Sequence, residues 1–415
     1  MAIIEQGKCI ITGINKDGCG VAFKGKDVIE IPYTIPGDEV SFYLHQYRAH
    51  SNYTISSIDK SSDFRIAPEC EYFTRCGGCS MQHLDKNTYT KFKIGLIEEL
   101  LKKLNVFAAE VNTLVVIEKG VRRRATFKAI NKPDNLFFGF YQLNSHKINN
   151  IWHCDAVTIK ISDLIPDLKA FLKNILPFGS KVEVVVVEAN NGIIIKIDNS
   201  NLINVKEHLE VLTSKHNIIR IRNDKNILYQ TKEPYILLDD IKTQIDEDIF
   251  LQPTTKSDKI LANIVTNYIP KDRQYKIIDL FCGIGTYTMS LSKTNLVTGV
   301  DNNPKALEFL ASSAINSDRD ITLIDRDLWL NPVAKKEIEN FEIIIINPPR
   351  AGAKNQIELI AKANCRFKII YVSCNPDSFK DDAKILLDFG YKLKSITPID
   401  QFYWTSHLEL VALFE

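Results

Sequence analysis

The spacing of hydrophobic positions changes at about residue 258. Beyond it, short and solidly apolar stretches alternate with segments whose apolar residues recur at helical spacing. Examples, in chain order, are KIIDLF, LVTGVD, PKALEFLASSAI, EIIIINPP, NQIELIAKA and FKIIYVSC. Apolar runs between amphipathic helices are typical of parallel strands buried on both faces. The pattern predicts an α/β domain over residues 251–415, with a mostly parallel, doubly wound sheet of the Rossmann-like kind.

The first 61 residues follow another pattern. The segments CIITGI, VAFKG, DVIEIPYT and VSFYLHQ are rich in β-formers, and the turn segments KDGCG and IPGDE separate them. This predicts a small, OB-like β-barrel over residues 1–61, an architecture that often binds nucleic acid. Residues 62–250 mix strand and helix patterns, with an amphipathic helix expected over 88–105, and predict a central α+β domain.

Composition adds limits to this picture. The chain has 415 residues, of which 45% are hydrophobic and 25% charged, and this is ordinary for a protein of several globular domains. No apolar run reaches the ~18 residues of a membrane span, and the N-terminus lacks the pattern of a secretory signal. We therefore expect a cytoplasmic protein that has no membrane partner.

The net charge of +1 does not by itself indicate a nucleic-acid partner. The distribution is uneven, however, because residues 86–128 carry ten Lys or Arg against four Glu, including Arg122, Arg123 and Arg124. A local basic patch is enough to hold phosphates. The alternative is an ordinary solvated surface.

A candidate nucleotide site follows the strand KIIDLF. Gly283 and Gly285 are predicted to let the backbone approach a ligand at the start of a helix, and Asp301 ends the next strand, where an acid binds ribose hydroxyls. Thr288 occupies the place of the third glycine of a dinucleotide motif, which favours S-adenosylmethionine over NAD. The alternative is a tight turn of any doubly wound fold.

Three further strand ends carry candidate chemistry: Asn347-Pro-Pro-Arg350, Cys374 and Glu409. Ligands bind at the carboxyl ends of parallel strands, and the helix after Cys374 is expected to lower the pKa of its thiol. Glu409 stands between leucines in an apolar strand, which suits a buried general base. The alternatives are a strand-terminating turn, an inert cysteine and an exposed glutamate on an edge strand.

The nine cysteines are an odd number in a chain without an export signal, which favours metal or catalytic use over disulfides. Cys70, Cys76 and Cys79 form C-x5-C-x2-C in a polar, glycine-rich stretch, and Cys154 lies in WHCDA. Four thiolates suit either a [4Fe–4S] cluster or tetrahedral zinc, and spacing alone leaves both open.

The segments IIDLFCGIGTYT, INPPRAGA, IYVSCNP and TSHLELVALF, preceded by FLQPT at 250–254, resemble the class I RNA 5-methyluridine methyltransferases. The stretch DGCGVAFKGKDVIEIPYTIPGDEV resembles the TRAM-like RNA-binding barrel often attached to them. The resemblance implies S-adenosylmethionine-dependent methylation of uridine C5 in RNA. Ribosomal RNA of the 23S type is favoured over transfer RNA, and the enzyme is expected to be a monomer.

The resemblance also implies roles for single residues. Cys374 would be the nucleophile and Glu409 the base that removes the C5 proton. Cofactor or base contacts are implied for Gln252, Phe281, Thr286, Asp301, Asp327 and Asn347. It favours the iron–sulfur cluster over zinc, with the four ligands Cys70, Cys76, Cys79 and Cys154.

Two other functions compete with this prediction. Asn347-Pro-Pro also occurs in enzymes that methylate the amino group of adenine at N6, which need no thiol. A protein that binds RNA through an iron–sulfur domain without catalysis is the non-enzymatic alternative. A thiolate and a carboxylate at one site favour uridine C5, because that carbon becomes nucleophilic only after a thiolate has added to C6.

Overall fold

The computed structural model describes residues 2–47, 50–224 and 226–415, which fold as two compact units. Both units are assembled from separate stretches of the chain. The first comprises Met1–Glu98, Phe140–Asn149 and Phe402–His407, and the second Glu99–Gly139, Asn150–Gln401 and Leu408–Glu415. The three domains predicted for 1–61, 62–250 and 251–415 stay a prediction.

Two small antiparallel sheets make up the N-terminal part of the first unit, with strand orders β1-β5-β6 and β2-β3-β4. Their apolar faces share one core that includes Ile11, Ile29, Val40 and Phe42. The predicted β-rich segment is confirmed, and its closure into an OB-like barrel stays a prediction. The elements are β1 (Ala2–Ile10), β2 (Gly13–Ile14), β3 (Gly20–Lys24), β4 (Asp27–Ile31), β5 (Glu39–Tyr47), β6 (His50–Lys60) and helix α1 (Lys86–Lys103).

The middle of the chain forms a mixed sheet in which six strands run in the order β10-β9-β12-β13-β14-β15, with α2 packed against α3 and β12. The elements are β7 (Glu110–Val111), β8 (Val115–Val116), β9 (Arg124–Asn131), β10 (Leu136–Tyr141), β11 (Ile148–Asn150), α2 (Ile159–Ile175), β12 (Lys181–Ala189), β13 (Gly192–Ile197), α3 (Val205–Lys215), β14 (Ile218–Asn223), β15 (Ile227–Gln230), β16 (Tyr235–Leu238) and β17 (Ile241–Gln244).

The C-terminal part of the second unit alternates helices and strands, as the hydrophobic pattern predicts. Its elements are α4 (Thr255–Asn267), β18 (Lys276–Leu280), α5 (Thr288–Leu291), β19 (Leu296–Asp301), α6 (Pro304–Asn316), β20 (Ile321–Asp325), α7 (Lys335–Ile338), β21 (Ile343–Ile346), α8 (Lys354–Ala361), β22 (Lys368–Ser373), α9 (Pro376–Asp388), β23 (Leu393–Asp400) and β24 (Glu409–Phe414). Within the described residues, no helix is long and apolar enough to cross a membrane.

One sheet has the order β20-β19-β18-β21-β22-β24-β23-β7, and β8 also pairs with β23. Strands β18 to β22 are parallel to their neighbours, whereas β24 lies antiparallel between β22 and β23. The carboxyl ends of β18 to β23 and the amino end of β24 therefore meet at one edge of the sheet. Glu409, the first residue of β24, lies at the edge where Cys374 follows β22.

Candidate active site

Cys374 and Glu409 are brought together by the pairing of β22 with β24. Ser373 and Leu410 are the last paired residues of this antiparallel register before the sheet edge. In such a register, moving one residue forward along one strand corresponds to moving one residue back along the other. The next positions toward the edge are therefore Cys374 and Glu409. The thiol and the carboxylate predicted from the sequence therefore lie at the same edge of the sheet, with Cys374 directly after β22 and Glu409 at the start of β24.

Glu409 is buried, with 3% of its surface exposed. Burial raises the pKa of its carboxyl to about 8, while a hydrogen bond from Gln401 and the charge of Arg350 act in the opposite direction. The structure thus shows the buried carboxyl with a raised pKa that the sequence predicts, and the role of Glu409 as a base stays a prediction. The exposed-edge alternative is wrong, because β24 has a partner strand on each side.

Cys374 is half-buried and directly precedes the N-cap of α9, Asn375, whose side chain accepts a hydrogen bond from the Asp377 amide at 3.1 Å. The sequence led us to expect a lowered thiol pKa from this helix end, and that expectation is wrong. Burial raises the pKa of Cys374, and the charge of Glu409 raises it further. Removal from water therefore outweighs the interactions that favour the thiolate.

Arg350 supplies positive charge to the site, a role that the sequence analysis did not predict for it. Its charge and its hydrogen bond to the sulfur lower the pKa of Cys374, and its charge also lowers the pKa of Glu409. The loop that carries it is held by Asn375, whose Nδ2 donates to the Arg350 carbonyl oxygen at 2.8 Å. One guanidinium therefore favours the anionic forms of both candidate catalytic groups.

Gln252 is buried at the edge of the same site, on the segment that enters α4. Its carbonyl oxygen accepts a hydrogen bond from Nε of Arg123 at 3.0 Å, and Arg123 is also paired with Asp258 at 2.6 Å. Thr254 caps α4 by accepting a hydrogen bond from the Ser257 amide at 2.8 Å. A buried ion pair and a helix cap thus hold the backbone at Gln252 and at the residues that follow it.

The segment after β18 that contains Gly283 and Gly285 agrees only in part with the predicted nucleotide site. Gly283 has a φ of +54° and open space where a Cβ would lie, so a ligand can approach its backbone. At Gly285 a Cβ would lie 2.5 Å from Leu310, so this glycine serves helix packing. The predicted helix is only α5, Thr288–Leu291, and it is too short to contribute a strong N-terminal dipole.

Asp301 lies where the sequence predicts it, at the carboxyl end of β19. Its Oδ2 accepts from the Gly283 amide at 2.8 Å and its Oδ1 from the Asn303 amide at 2.9 Å. Each carboxylate oxygen has a second lone pair, so the group retains the capacity to accept ribose hydroxyls. The carboxylate also ties the glycine turn to β19.

The other predicted contact residues lie along the same edge. Asn347 follows β21, and its backbone N–H donates to the Leu280 carbonyl oxygen at 3.2 Å. Asp327 follows β20 and accepts from the Trp329 amide at 2.8 Å, while the ring of Trp329 stands edge-on to that of Phe281 at 6.4 Å. Phe281 and Thr286 are half-buried in the glycine segment. Their contacts with cofactor or base stay a prediction.

Gln401 is a site residue that the sequence did not predict. It follows β23, is 2% exposed, and its Nε2 donates to Oε2 of Glu409 at 2.8 Å and to Oε1 of Gln252 at 3.2 Å. No local motif marks this residue. Its importance follows from the pairing of β23 with β24, in which Ile399 pairs with Glu409.

The four candidate metal ligands are divided between the two units, with Cys70, Cys76 and Cys79 in the first and Cys154 in the second. All four are half-buried, and the Gly78 amide donates to Sγ of Cys76 at 3.4 Å. Among residues 2–47, 50–224 and 226–415, no group of three or more His, Cys, Asp or Glu is arranged to hold a metal ion. The described geometry therefore gives the cluster no support, and it stays a prediction.

The prediction of a basic patch that holds phosphates is wrong for several of its cations, because they are bonded to other groups of the protein. Arg123 is buried against Asp258, Nη1 of Arg124 donates to the Ile249 carbonyl oxygen at 3.1 Å, and Lys128 pairs with Glu183. The sequence pattern did not reveal these partners, which lie far along the chain. Arg123 and Arg124 thus help to hold the second unit together.

The whole chain has the fold of a solved methyltransferase. The tRNA (uracil-54, C5)-methyltransferase of Pyrococcus abyssi, in complex with S-adenosyl-L-homocysteine, aligns with a TM-score of 0.75 over 99% of this chain and 100% of its own, at 22% identity. This likeness, together with the sheet order, shows a Rossmann-like fold of the kind found in methyltransferases.

Sequence comparison identifies the family. Residues 306–415 match the family model described as tRNA (Uracil-5-)-methyltransferase. An uncharacterized RNA methyltransferase of Agrobacterium fabrum is 30% identical over 98% of each chain, and the 23S rRNA (uracil(1939)-C(5))-methyltransferase RlmD of Vibrio vulnificus is 28% identical over 99% of this chain and 96% of its own. The chain belongs to the RNA uracil-C5 methyltransferase family, whose enzymes use S-adenosylmethionine. This is the family of the main sequence prediction, not of the adenine alternative.

Proposed function

We propose that the protein methylates C5 of a uridine in 23S ribosomal RNA, with Cys374 as nucleophile and Glu409 as general base. The observation that carries the proposal is the register of β22 and β24, which brings these two residues to the same edge of the sheet. A pyrimidine bound there would meet the Cys374 sulfur at C6 and the Glu409 carboxylate at C5. The target base must leave its stack to enter such a site.

The proposed reaction begins when the Cys374 thiolate adds to C6 of the uracil. A sulfur–carbon bond forms, and the electron pair of the C5–C6 double bond moves toward C5 and O4. S-adenosylmethionine supplies the methyl group that C5 then receives. Glu409 removes the C5 proton, the C5–C6 double bond re-forms, and the bond to sulfur breaks, which frees Cys374.

The surroundings of Glu409 and Cys374 suit the roles that we propose for these two residues. A carboxyl whose pKa is about 8 is a stronger base than an ordinary glutamate once it is ionised. The Cys374 thiol needs help to ionise because burial raises its pKa, and Arg350 provides the positive charge that opposes this. We therefore assign Arg350 the role of stabilising the thiolate.

For S-adenosylmethionine we propose a site along the edge from β20 to β21. Asp301 would accept the ribose hydroxyls, and the open backbone at Gly283 gives the cofactor room. Phe281, Thr286 and Asp327 would complete the contacts. Asn347 follows β21, the strand next to β22, and Gln252 shares Gln401 as a hydrogen-bond partner with Glu409. The amides of both residues suit a uracil ring, which both donates and accepts hydrogen bonds.

The RNA class can be tested directly. The full-length relatives named 23S rRNA methyltransferases support ribosomal RNA, whereas the P. abyssi enzyme is named for transfer RNA. We propose incubating the protein and S-adenosylmethionine with unmodified 23S rRNA and tRNA transcripts and mapping 5-methyluridine by mass spectrometry. One methylated uridine in the 23S transcript is expected. Methylation of tRNA alone, or of adenine N6, would contradict the proposal.

We also propose that Cys70, Cys76, Cys79 and Cys154 hold a [4Fe–4S] cluster, on the strength of the resemblance, because their spacing alone suits zinc equally well. Anaerobically purified protein should then show broad absorbance near ~400 nm. The variant Cys76→Ser should lose this absorbance, and Cys365→Ser, which changes an exposed cysteine, should keep it. Bound zinc without such absorbance would contradict the cluster.

A further inference from the structure

The side chain of Gln401 joins two residues of the active site. Its Nε2 donates one hydrogen bond to Oε2 of Glu409 at 2.8 Å and another to Oε1 of Gln252 at 3.2 Å. All three side chains are at least nine-tenths buried, with exposures of 2% for Gln401, 3% for Glu409 and 4% for Gln252. The amide therefore contacts the candidate base in a region shielded from water.

The orientation of this amide follows from its neighbours. Both contacts join the NH2 group of Gln401 to acceptor oxygens, and the reverse orientation would turn Oε1 toward the Glu409 carboxylate once that group is ionised, as the base has to be. In the described part of the chain, Oε1 of Gln401 has no hydrogen-bond partner although it is buried. A buried acceptor without a partner costs about 1–3 kcal/mol. An arrangement that retains this cost is characteristic of functional sites.

We infer that Gln401 is a positioning residue for the methylation, which holds the Glu409 carboxylate in place as the base and couples it to Gln252. The inference rests on the proposed function of Glu409. A leucine or methionine would fill the same space without donating a hydrogen bond. The donated bond is what orients the carboxylate and stabilises its charged form.

The direction in which the Gln401 hydrogen bond shifts the pKa of Glu409 can be compared with the effects of the other groups around this carboxyl. Burial raises the pKa of Glu409, and the Gln401 hydrogen bond and the Arg350 charge lower it. Glu409 in turn raises the pKa of Cys374 and of Tyr287, so both of these groups lie within its electrostatic reach. Loss of the Gln401 donor should raise the pKa of Glu409 further and leave less of it ionised near neutral pH.

The test compares wild-type protein with Gln401→Met, using a 23S rRNA transcript labelled with tritium at uridine C5. Release of tritium reports removal of the C5 proton. We expect release by Gln401→Met to be about tenfold slower near neutral pH, the size expected for one lost hydrogen bond to a charged group, and the difference to narrow above about pH 9. The protein–RNA adduct should also accumulate, because elimination of Cys374 follows proton removal.

A matched control is Gln356→Met. Gln356 is also buried, at 1% exposure, and its side chain bonds only the backbone of Val333 in the described structure. This variant loses a buried amide without contact to the base, so its pH profile should match that of the wild type. Agreement between the two methionine variants would mean that Gln401 has a merely structural role.

A second readout separates the base from the nucleophile. A transcript containing 5-fluorouridine has no C5 proton to remove, so Gln401→Met should form its Cys374 adduct within about twofold of the wild-type rate. Equal loss of adduct formation and tritium release would overturn the inference. If Gln401→Met does not fold, Gln401→Glu replaces it, and the acid limb of its pH profile should move upward because a second carboxylate opposes ionisation of Glu409.

The outcomes also separate this inference from the proposed function. A wild-type protein that neither releases tritium nor forms the fluorouridine adduct would contradict the proposed function itself. Active wild-type protein with an unchanged pH profile in Gln401→Met would contradict only the role of Gln401.

Discussion

The charge of Glu409, the first residue of β24, raises the pKa of the thiol of Cys374, which directly follows the neighbouring strand β22. The nucleophile and the base thus oppose each other's ionisation. In the proposed reaction this opposition ends when the thiolate becomes a thioether, because the sulfur then carries no charge. The carboxylate is afterwards free to ionise and to accept the C5 proton.

Removal of the Glu409 charge should therefore make Cys374 more acidic. In Glu409→Gln we expect the midpoint of thiol titration to fall below the wild-type value, with up to about tenfold faster alkylation by iodoacetamide near pH 9, where wild-type Glu409 is ionised. The measurement is the rate of Cys374 alkylation against pH, followed by mass spectrometry of the peptide. An unchanged profile would mean that the two groups are not electrostatically coupled.

Arg350 should act on both groups in the opposite direction. Its charge lowers the pKa of Cys374 and of Glu409, so Arg350→Met should raise both values. We expect methylation near neutral pH to fall by roughly 10- to 100-fold and to recover in part as the pH rises. The control Arg273→Met removes an exposed arginine paired with Glu342 and should have wild-type activity at every pH. An equal loss at all pH values would assign Arg350 to RNA binding instead.

The two glycines of the turn after β18 should respond differently to alanine. Gly285→Ala places a methyl group against Leu310 at a φ of +87° and should cost about 2–3 kcal/mol of unfolding free energy. Gly283→Ala meets open space at a φ of +54° and should cost only about 1 kcal/mol, but it should weaken S-adenosylmethionine binding. Denaturant unfolding and calorimetric titration measure the two effects. The reverse pattern would exclude a cofactor beside Gly283.

Asp279 should make stability depend on pH. Burial raises the pKa of its carboxyl from 3.8 to about 7, so the folded state holds a proton that the unfolded chain releases. This stabilisation is fully present below about pH 4 and is lost as the pH rises through about 7, with a total of about 4 kcal/mol.

Asp279→Asn keeps an oxygen for the Thr288 hydroxyl, which donates to Asp279 at 2.6 Å, and it removes the titration. The difference in unfolding free energy between wild type and variant should therefore shift by about that amount over the same pH range. A difference that stays constant over this pH range would show that the Asp279 carboxyl has an ordinary pKa.

The sequence predicts the sheet edge well because the signal there is local. Each parallel strand is a short apolar run, and the residue that follows it lies at the carboxyl edge whichever strands are neighbours. This is why Asp301, Asn347 and Cys374 could be identified before the strand order was known. Glu409 was harder, because β24 is buried along its whole length and alternation of polar and apolar residues does not separate its faces.

What the sequence could not predict depends on partners far along the chain. Gln401 matters only because β23 pairs with β24 and because Gln252 lies beside it. Arg123 and Arg124 suggested an RNA surface until Asp258 and the Ile249 carbonyl oxygen were seen to bind them. The pKa of Cys374 was predicted in the wrong direction because burial, which a sequence does not show, outweighs the neighbouring helix end.

The central claim is that Cys374 attacks C6 of a uridine in RNA. The most direct measurement is tandem mass spectrometry of the complex formed with a 23S rRNA transcript that contains 5-fluorouridine, with Cys374→Ala as the comparison. The account predicts one covalent nucleotide, carried by the peptide that contains Cys374 and absent from the variant. A Cys374→Ala protein that still converts uridine to 5-methyluridine in the unsubstituted transcript would contradict it.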